Sequence, residues 1–240
     1  MPAKAGQDKV AVITGGGTGI GLATARLFAQ SGYSVVITGR DATRLKRAAN
    51  DISTQHGQVT AIPCDVRDPA SVKKIFSEIG KQHSSIDVLI NNAGVSHALA
   101  PVDQLPIETW RDVIDTNLTG MFLVTRAALP LMHAGGTIVN NLSVAAVQPF
   151  GGFSAYNASK YGALGFTHAL REELRKRGIR VLALLPGATD TDIWSQFWPD
   201  APREKMISAE TVAQAVLHAV SAPANATIEE IRIGPAAGVL

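Results

Sequence analysis

What limits this chain most is the order of its patterns. Short runs rich in β-branched and aliphatic residues alternate with longer stretches of helical spacing along most of its length. Candidate strands cover residues 10–14, 34–38, 59–63, 88–91, 137–141, 181–185 and 228–233. Candidate helices lie at 20–30, 42–56, 69–83, 108–133, 155–177 and 209–221. The strand runs are apolar on consecutive residues, as in parallel strands covered on both faces. Such alternation builds an α/β fold, a doubly wound parallel sheet of about seven strands with helices on both faces. No linker, repeat or low-complexity stretch interrupts it, so residues 1–240 read as one domain, long enough for a single large core. In such sheets ligands bind beyond the carboxyl ends of the strands.

The end of the first strand is rich in glycine. Residues 10–21 read VAVITGGGTGIG, a strand, a loop and the start of a helix. Glycine admits positive φ and lets backbone approach a phosphate closely. Free N–H groups at a helix start favour an anion. The spacing of Gly15, Gly19 and Gly21 is not G-x-G-x-x-G, and a tight turn would also use glycines, but their number at the first strand end favours a dinucleotide site. The end of the second strand selects the dinucleotide. A carboxylate there holds a ribose 2′-hydroxyl, whereas arginine matches a 2′-phosphate. The strand runs out at Gly39 and is followed by Arg40, with Arg44 close behind. Arg40 therefore points to NADP(H) in preference to NAD(H), and Asp41 reads as the N-cap of the next helix. Asp65, after the third strand, is placed either to accept from an adenine amino group or to cap a helix.

Chemistry concentrates in YNASKY, residues 156–161. On a helix, Tyr156 and Lys160 share a face, because positions i and i+4 are neighbours. Tyr161 points elsewhere and is expected to pack. A free tyrosine has a pKa of about 10. A nearby ammonium lowers it and makes the phenol a usable acid or base. Ser143, just beyond the fifth strand, could hydrogen-bond the same substrate oxygen. Each piece alone is common; the combination is not.

Together, the glycine loop at residues 14–21, Asn91-Asn92-Ala93-Gly94, Asn117, Ser143, Tyr156-x-x-x-Lys160 and Pro186-Gly187 resemble the short-chain dehydrogenase/reductase family, in its order and spacing, from about residue 9 to about residue 193. The resemblance implies a Rossmann-type fold. It implies Tyr156 as catalytic acid/base, with Lys160 binding the nicotinamide ribose and lowering the tyrosine pKa. It implies Ser143 as the substrate-orienting hydroxyl and Asn117 as the residue whose local helix distortion holds a proton-relay water. It also implies cofactor contacts by Gly15, Thr18, Gly19, Ile20, Asp65, Val66, Asn91, Ala93, Gly94, Pro186, Gly187, Thr189 and Thr191, with Arg40 where NADP-preferring members carry an arginine. Many of those members carry a second basic residue in the glycine loop. Thr18 stands there instead, so the expected NADP(H) preference is less than complete.

Two tryptophans and a phenylalanine fall within IWSQFW, residues 193–198. They read either as a substrate lid over residues 193–207, with Trp194, Phe197 and Trp198 supplying apolar area, or as a surface helix packed on the core. Phe150 and Phe153 would line the opposite wall or pack in the core. Such a pocket suits an uncharged or partly apolar carbonyl compound. His97 reads as a surface histidine. The expected activity is interconversion of a carbonyl compound and an alcohol, as in a carbonyl reductase. The alternatives are a 3-oxoacyl thioester reductase and, from another class, a catalytically silent NADP-sensing or scaffold protein. The C-terminal segment lacks the Asp-Gly-Gly ending of many acyl-carrier-protein ketoreductases, and all four catalytic positions are filled.

The remaining expectations rest on composition. A formal net charge of +2 gives no argument for nucleic acid. Six scattered histidines and a lone cysteine, Cys64, predict no metal site and no internal disulfide, which suits a reducing compartment. The polar N-terminus lacks the apolar core of a signal peptide and no apolar run would span a membrane, so a cytoplasmic location is expected. The helix over residues 117–131 is apolar nearly all round, as is the face after Tyr161. Family members commonly form tetramers through these helices, so a homotetramer is expected.

Overall fold

The computed structural model describes residues 9–238. The strands are β1 (Val10–Thr14), β2 (Ser34–Gly39), β3 (Val59–Pro63), β4 (Ile86–Asn91), β5 (Met132–Asn141), β6 (Arg180–Pro186) and β7 (Glu230–Ile233). The α-helices are α1 (Gly19–Gln30), α2 (Ala42–His56), α3 (Pro69–Gln82), α4 (Ile107–Ile114), α5 (Gly120–Ala128), α6 (Ser154–Arg175) and α7 (Ala209–Val220). All seven strands are parallel, in the order β3-β2-β1-β4-β5-β6-β7. The order reverses at β1/β4, which opens a crevice at the carboxyl edge between them.

Alternate residues of β1 divide the core. Ala11 and Ile13 pack with Phe28 of α1, Leu45 of α2 and Val212 of α7. Val10 and Val12 face the other layer, with Val72 of α3, Val124 of α5 and Leu170 of α6. Both faces of the strands are therefore dry, which is why their apolar runs do not alternate. Local signals set the helix starts. Asp41 accepts from the Arg44 amide at 2.9 Å and caps α2, while Asp68 accepts from the Ala70 and Ser71 amides and caps α3 ahead of Pro69.

The helix expected over 108–133 is not continuous. It is α4, a π-helical turn at Asp115–Thr119, α5, and a 3₁₀ turn at Leu129–Leu131. Pro130 has no amide to continue the α ladder, so the α-helix stops at Ala128. The chain then enters β5 at Met132, five residues before the strand expected from 137. Ile86 pairs with Met132 but Val88 with Thr137, so the extra residues are absorbed in an irregular segment. Gly135, at φ +92°, makes that turn possible. Among the described residues, no helix is long and apolar enough to cross a membrane.

Candidate active site

The loop after β1 is held by backbone against backbone. Gly15 has φ +65°, and a Cβ there would lie 3.0 Å from the Ala93 Cα. At Gly21 a Cβ would lie 2.3 Å from the Gly15 carbonyl oxygen. Asn92, just past β4, locks this contact: its Nδ2 donates to the Thr14 and Gly15 carbonyls at 3.0 and 3.1 Å. The Thr14 hydroxyl accepts from the Asn92 and Ala93 amides, both at 3.0 Å. The start of α1 has no side-chain cap and no acidic residue in its first turn. Its first amides therefore stay available to an anion. Gly15, Thr18, Gly19 and Ile20 line a cavity of about 830 Å³ that continues past Ala93 and Gly94 to Pro186, Gly187, Thr189 and Thr191. The residues present fit a dinucleotide: an uncapped helix start for its phosphates, and glycines that let the loop pack close against Ala93 and the start of α1.

Ser143, Tyr156 and Lys160 line the same cavity. Tyr156 and Lys160 lie one turn apart on α6, and Ser143 follows β5. The Ser143 hydroxyl accepts from the Ala145 amide at 3.1 Å and lies near enough to the Tyr156 phenol to favour its ionised form. Lys160 is buried; its Nζ donates to the Asn141 carbonyl at 3.2 Å and lies 5.5 Å from the Tyr156 ring centroid, over its face. Burial dominates both groups. It raises the Tyr156 phenol above its ordinary value, and the nearby Ser143 hydroxyl opposes it only in part. It pushes Lys160 down to about 8. Within the protein alone, the lowering that the resemblance implies from Lys160 does not offset this burial.

Asn117 occupies the π-helical turn and is buried. Its Oδ1 accepts from the Val95 amide at 2.8 Å, and its Nδ2 donates to the Val95 carbonyl at 2.9 Å and the Ser159 hydroxyl at 3.0 Å. It ties the segment after β4 to the first turns of α6, behind the cavity wall.

Phe150, Phe153, Trp194 and Phe197 all line the cavity, joined by Leu99, Val144 and Trp198. Phe153 contacts the Tyr156 ring at 5.7 Å and stands edge-on to Phe197 at 4.9 Å. The aromatic segment includes a 3₁₀ turn, Asp192–Gln196, and is pinned at three points. Trp194 Nε1 donates to the Thr189 carbonyl at 2.8 Å, and the Ser96 amide donates to Gln196 Oε1 at 3.1 Å. Arg203 Nη1 donates to Asp190 Oδ1 at 3.0 Å and the Thr191 carbonyl at 2.6 Å.

Several expected residues lie outside the cavity lining. Asn91 turns into the sheet, where its Nδ2 donates to Thr125 and Asn140 at 2.9 and 2.8 Å; its neighbour Asn92 reaches the cleft instead. Arg40, Asp65 and Val66 sit at the carboxyl ends of β2 and β3, further along the same sheet edge. Asp65 is held by an Arg67 fork, with Nη2 at 2.6 Å from Oδ2, and this holds its carboxyl below the usual range. Arg67 also bonds Asp112. His97 is buried rather than superficial: its Nδ1 is 2.7 Å from the Ala98 carbonyl and its ring is 5.4 Å from Phe153. Tyr161 does not pack but is 45% exposed, because its helix face has no layer over it within the chain. Leu99 and Val144 carried no signal in the sequence, since an aliphatic residue in a loop has no periodicity to mark its direction. Among the described residues, no three potential metal ligands converge.

The short chain dehydrogenase family profile matches residues 9–202, and the chain belongs to that family. It is thus a Rossmann-fold oxidoreductase of the short-chain dehydrogenase/reductase class. It is 34% identical to sulfoacetaldehyde reductase 2 of Chromohalobacter salexigens over 237 residues, 94% of each chain. Among solved structures, an alcohol dehydrogenase from Thermococcus sibiricus complexed with 5-hydroxy-NADP superimposes with a TM-score of 0.88 at 26% identity, covering 96% of this chain and 97% of that one. A Burkholderia cenocepacia short chain dehydrogenase in complex with NADP gives 0.86 at 32% identity, over 95% and 96%.

Proposed function

We propose that this protein is an NADP(H)-dependent oxidoreductase that interconverts a carbonyl compound and an alcohol, with Tyr156 as its acid/base. The observation that carries the reading is one continuous cavity, with an uncapped helix start at one end and Ser143, Tyr156 and buried Lys160 together at the other. A bound nicotinamide dinucleotide supplies or accepts the hydride at the carbonyl carbon. Ser143 orients the carbonyl oxygen and Tyr156 gives it a proton, so that the carbonyl, one hydride and one proton make the alcohol. With its pKa raised, Tyr156 stays protonated at neutral pH and suits the reducing direction. Lys160 holds positive charge next to the phenol as its proton leaves. Asn117 keeps the α6 start and the Val95 segment in place around them, and its π-helical turn is the kind of helix distortion found at functional sites.

Gly15, Thr18, Gly19 and Ile20 hold the phosphates. Ala93, Gly94, Pro186, Gly187, Thr189 and Thr191 line the path of the dinucleotide, and Asp65 and Val66 flank the adenine end. Arg40 is exposed, and its charge acts on Asp65. That leaves its guanidinium open to a 2′-phosphate, which supports NADP(H) over NAD(H). Several NADP complexes among the structural neighbours agree with this. Residues 193–207 form the substrate lid of a single domain. Trp110, Phe122 and Tyr161 are exposed on α4, α5 and α6, an apolar surface that supports a homotetramer through these helices.

The test is NADPH oxidation, followed by absorbance, against ketones, aldehydes, oxo acids and 3-oxoacyl thioesters, repeated with NADH. Turnover with a higher kcat/KM for NADPH is the expected result. Bound NADPH with no turnover across the panel would favour a sensor. A preference for NADH that Arg40→Ala leaves unchanged would remove Arg40 from the site.

A further inference from the structure

The cavity has two kinds of wall, and the aromatic one continues to the protein surface. From Tyr156 the contacts run to Phe153 at 5.7 Å, then to Phe197 at 4.9 Å, Trp194 at 5.0 Å and Trp198 at 6.0 Å between ring centroids. On the other side, Leu99 packs over Gly152: a Cβ there would lie 3.3 Å from Leu99 Cδ2, and the Ala100 amide donates to the Gly152 carbonyl at 3.1 Å. Leu99 and Trp198 line the cavity, yet 56% and 42% of their surface is exposed. Two large apolar side chains left open along a cavity that reaches Tyr156 offer apolar contact area to a ligand in it.

Charge is distributed the opposite way. The charged residues lining the cavity are Lys160, Asp192 and Arg232. Lys160 is taken up at the catalytic end, Asp192 follows Thr191, and Arg232 is on β7. None belongs to the row from Phe153 to Trp198. An anionic substituent laid along that row would lose its water without gaining a counter-charge, which is costly. An apolar one would gain roughly 0.8 kcal/mol per buried methylene.

We infer that the substrate is a ketone or aldehyde, or the matching alcohol, with an extended uncharged apolar arm. Its carbonyl sits at Ser143 and Tyr156, and the arm runs along Phe153 and Phe197 to the rim formed by Leu99 and Trp198. This rests on the carbonyl–alcohol reading above and assigns Leu99 and Trp198 as specificity-determining residues. The redox balance is unchanged: the carbonyl carbon takes the hydride from NADPH and the oxygen takes the Tyr156 proton.

The experiment measures kcat/KM with NADPH along the series from 2-butanone to 2-decanone, beside short oxo acids. The expected result is a rise of about three- to fourfold per methylene over the first members, the equivalent of 0.8 kcal/mol. In Leu99→Ser and Trp198→Ser the decanone-to-butanone ratio should fall about tenfold, and Leu99→Met and Trp198→Phe should restore it. A general loss of folding would lower both substrates and leave that ratio standing. Reduction of small ketones with a flat or falling series, or preference for the oxo acids, overturns the arm and leaves the carbonyl reading intact. No turnover of any carbonyl by enzyme that binds NADPH overturns the carbonyl reading, and the arm with it.

Discussion

The two ends of the cleft are made from different material. Around the glycine loop, backbone meets backbone. A methyl group at Gly21 has 2.3 Å to the nearest oxygen, and Asn92 bonds two carbonyls of the loop. At the aromatic end, side chains from two separate segments meet ring against ring, at 4.9 to 6.0 Å between centroids. The first construction tolerates almost no substitution, because any added atom displaces main chain. The second can exchange its side chains while the sheet stays as it is. One scaffold can thus keep a constant nucleotide end and vary its substrate end, which is why a fold does not name a substrate.

The sharpest cut falls where the two ends meet. Tyr156→Phe removes the hydroxyl proposed to give the proton and keeps the ring contact with Phe153. Turnover should fall about 10³-fold, within the range of general acid catalysis, while NADPH affinity, read by fluorescence titration, stays within about twofold. Turnover within tenfold of the wild type would show that another group delivers the proton.

The next prediction separates the two ends directly. Gly21→Ala overpacks a backbone contact and should cost about 1–3 kcal/mol, with Tm lowered by roughly 2–4 °C per kcal/mol and NADPH affinity weakened. Phe150→Ala, at the other end, should lower kcat/KM while moving Tm much less. Equal losses of Tm would mean that the aromatic end is as tightly built as the glycine loop.

Lys160 gives a pH signature. Its folded pKa of about 8 lies below the ordinary value of 10.5. Between those values the unfolded chain binds more protons than the folded one, so stability rises with pH across that window, and below about 8 the burial penalty is present in full. Lys160→Met should abolish that rise and increase Tm at pH 7 by a few degrees, at the expense of turnover. In the wild type, kcat/KM for reduction should fall above about pH 8 as the ammonium is lost. Thermal unfolding at pH 7 and pH 10, beside a pH–rate profile, reads both.

The smallest effect is expected in the aromatic segment that follows β6. Gln196→Ala removes the bond from the Ser96 amide, which is partly solvated and contributes about 1 kcal/mol. KM should rise about two- to fivefold with kcat unchanged. A larger fall in kcat would place a movement of this segment in the rate-limiting step.

Most strands and helices were legible from period and punctuation, because a strand covered on both faces writes an apolar run and an Asp before a helix writes a cap. Asp41 and Asp68 are such cases. The family resemblance carried a helix distortion at Asn117, but period and punctuation did not show the π-helical turn at residues 115–119, because the tertiary hydrogen bonds of Asn117 with Val95 and Ser159 leave the apolar pattern unaltered.

By itself, then, the sequence determined what depends on neighbours along the chain: the parallel sheet, the glycines where backbone must crowd, and the i,i+4 pairing of Tyr156 with Lys160. Only the tertiary structure decided what depends on partners far away. Asn92 rather than Asn91 faces the cleft, because β4 pairs with β5 and turns Asn91 toward Asn140. His97 is buried and Tyr161 exposed, because burial is set by which layer lies over a side chain. Leu99 and Trp198 share one cavity mouth, about a hundred residues apart in the chain. Period and spacing report local geometry; the convergence of loops at the carboxyl edge of a sheet depends on how the whole sheet closes over its two cores.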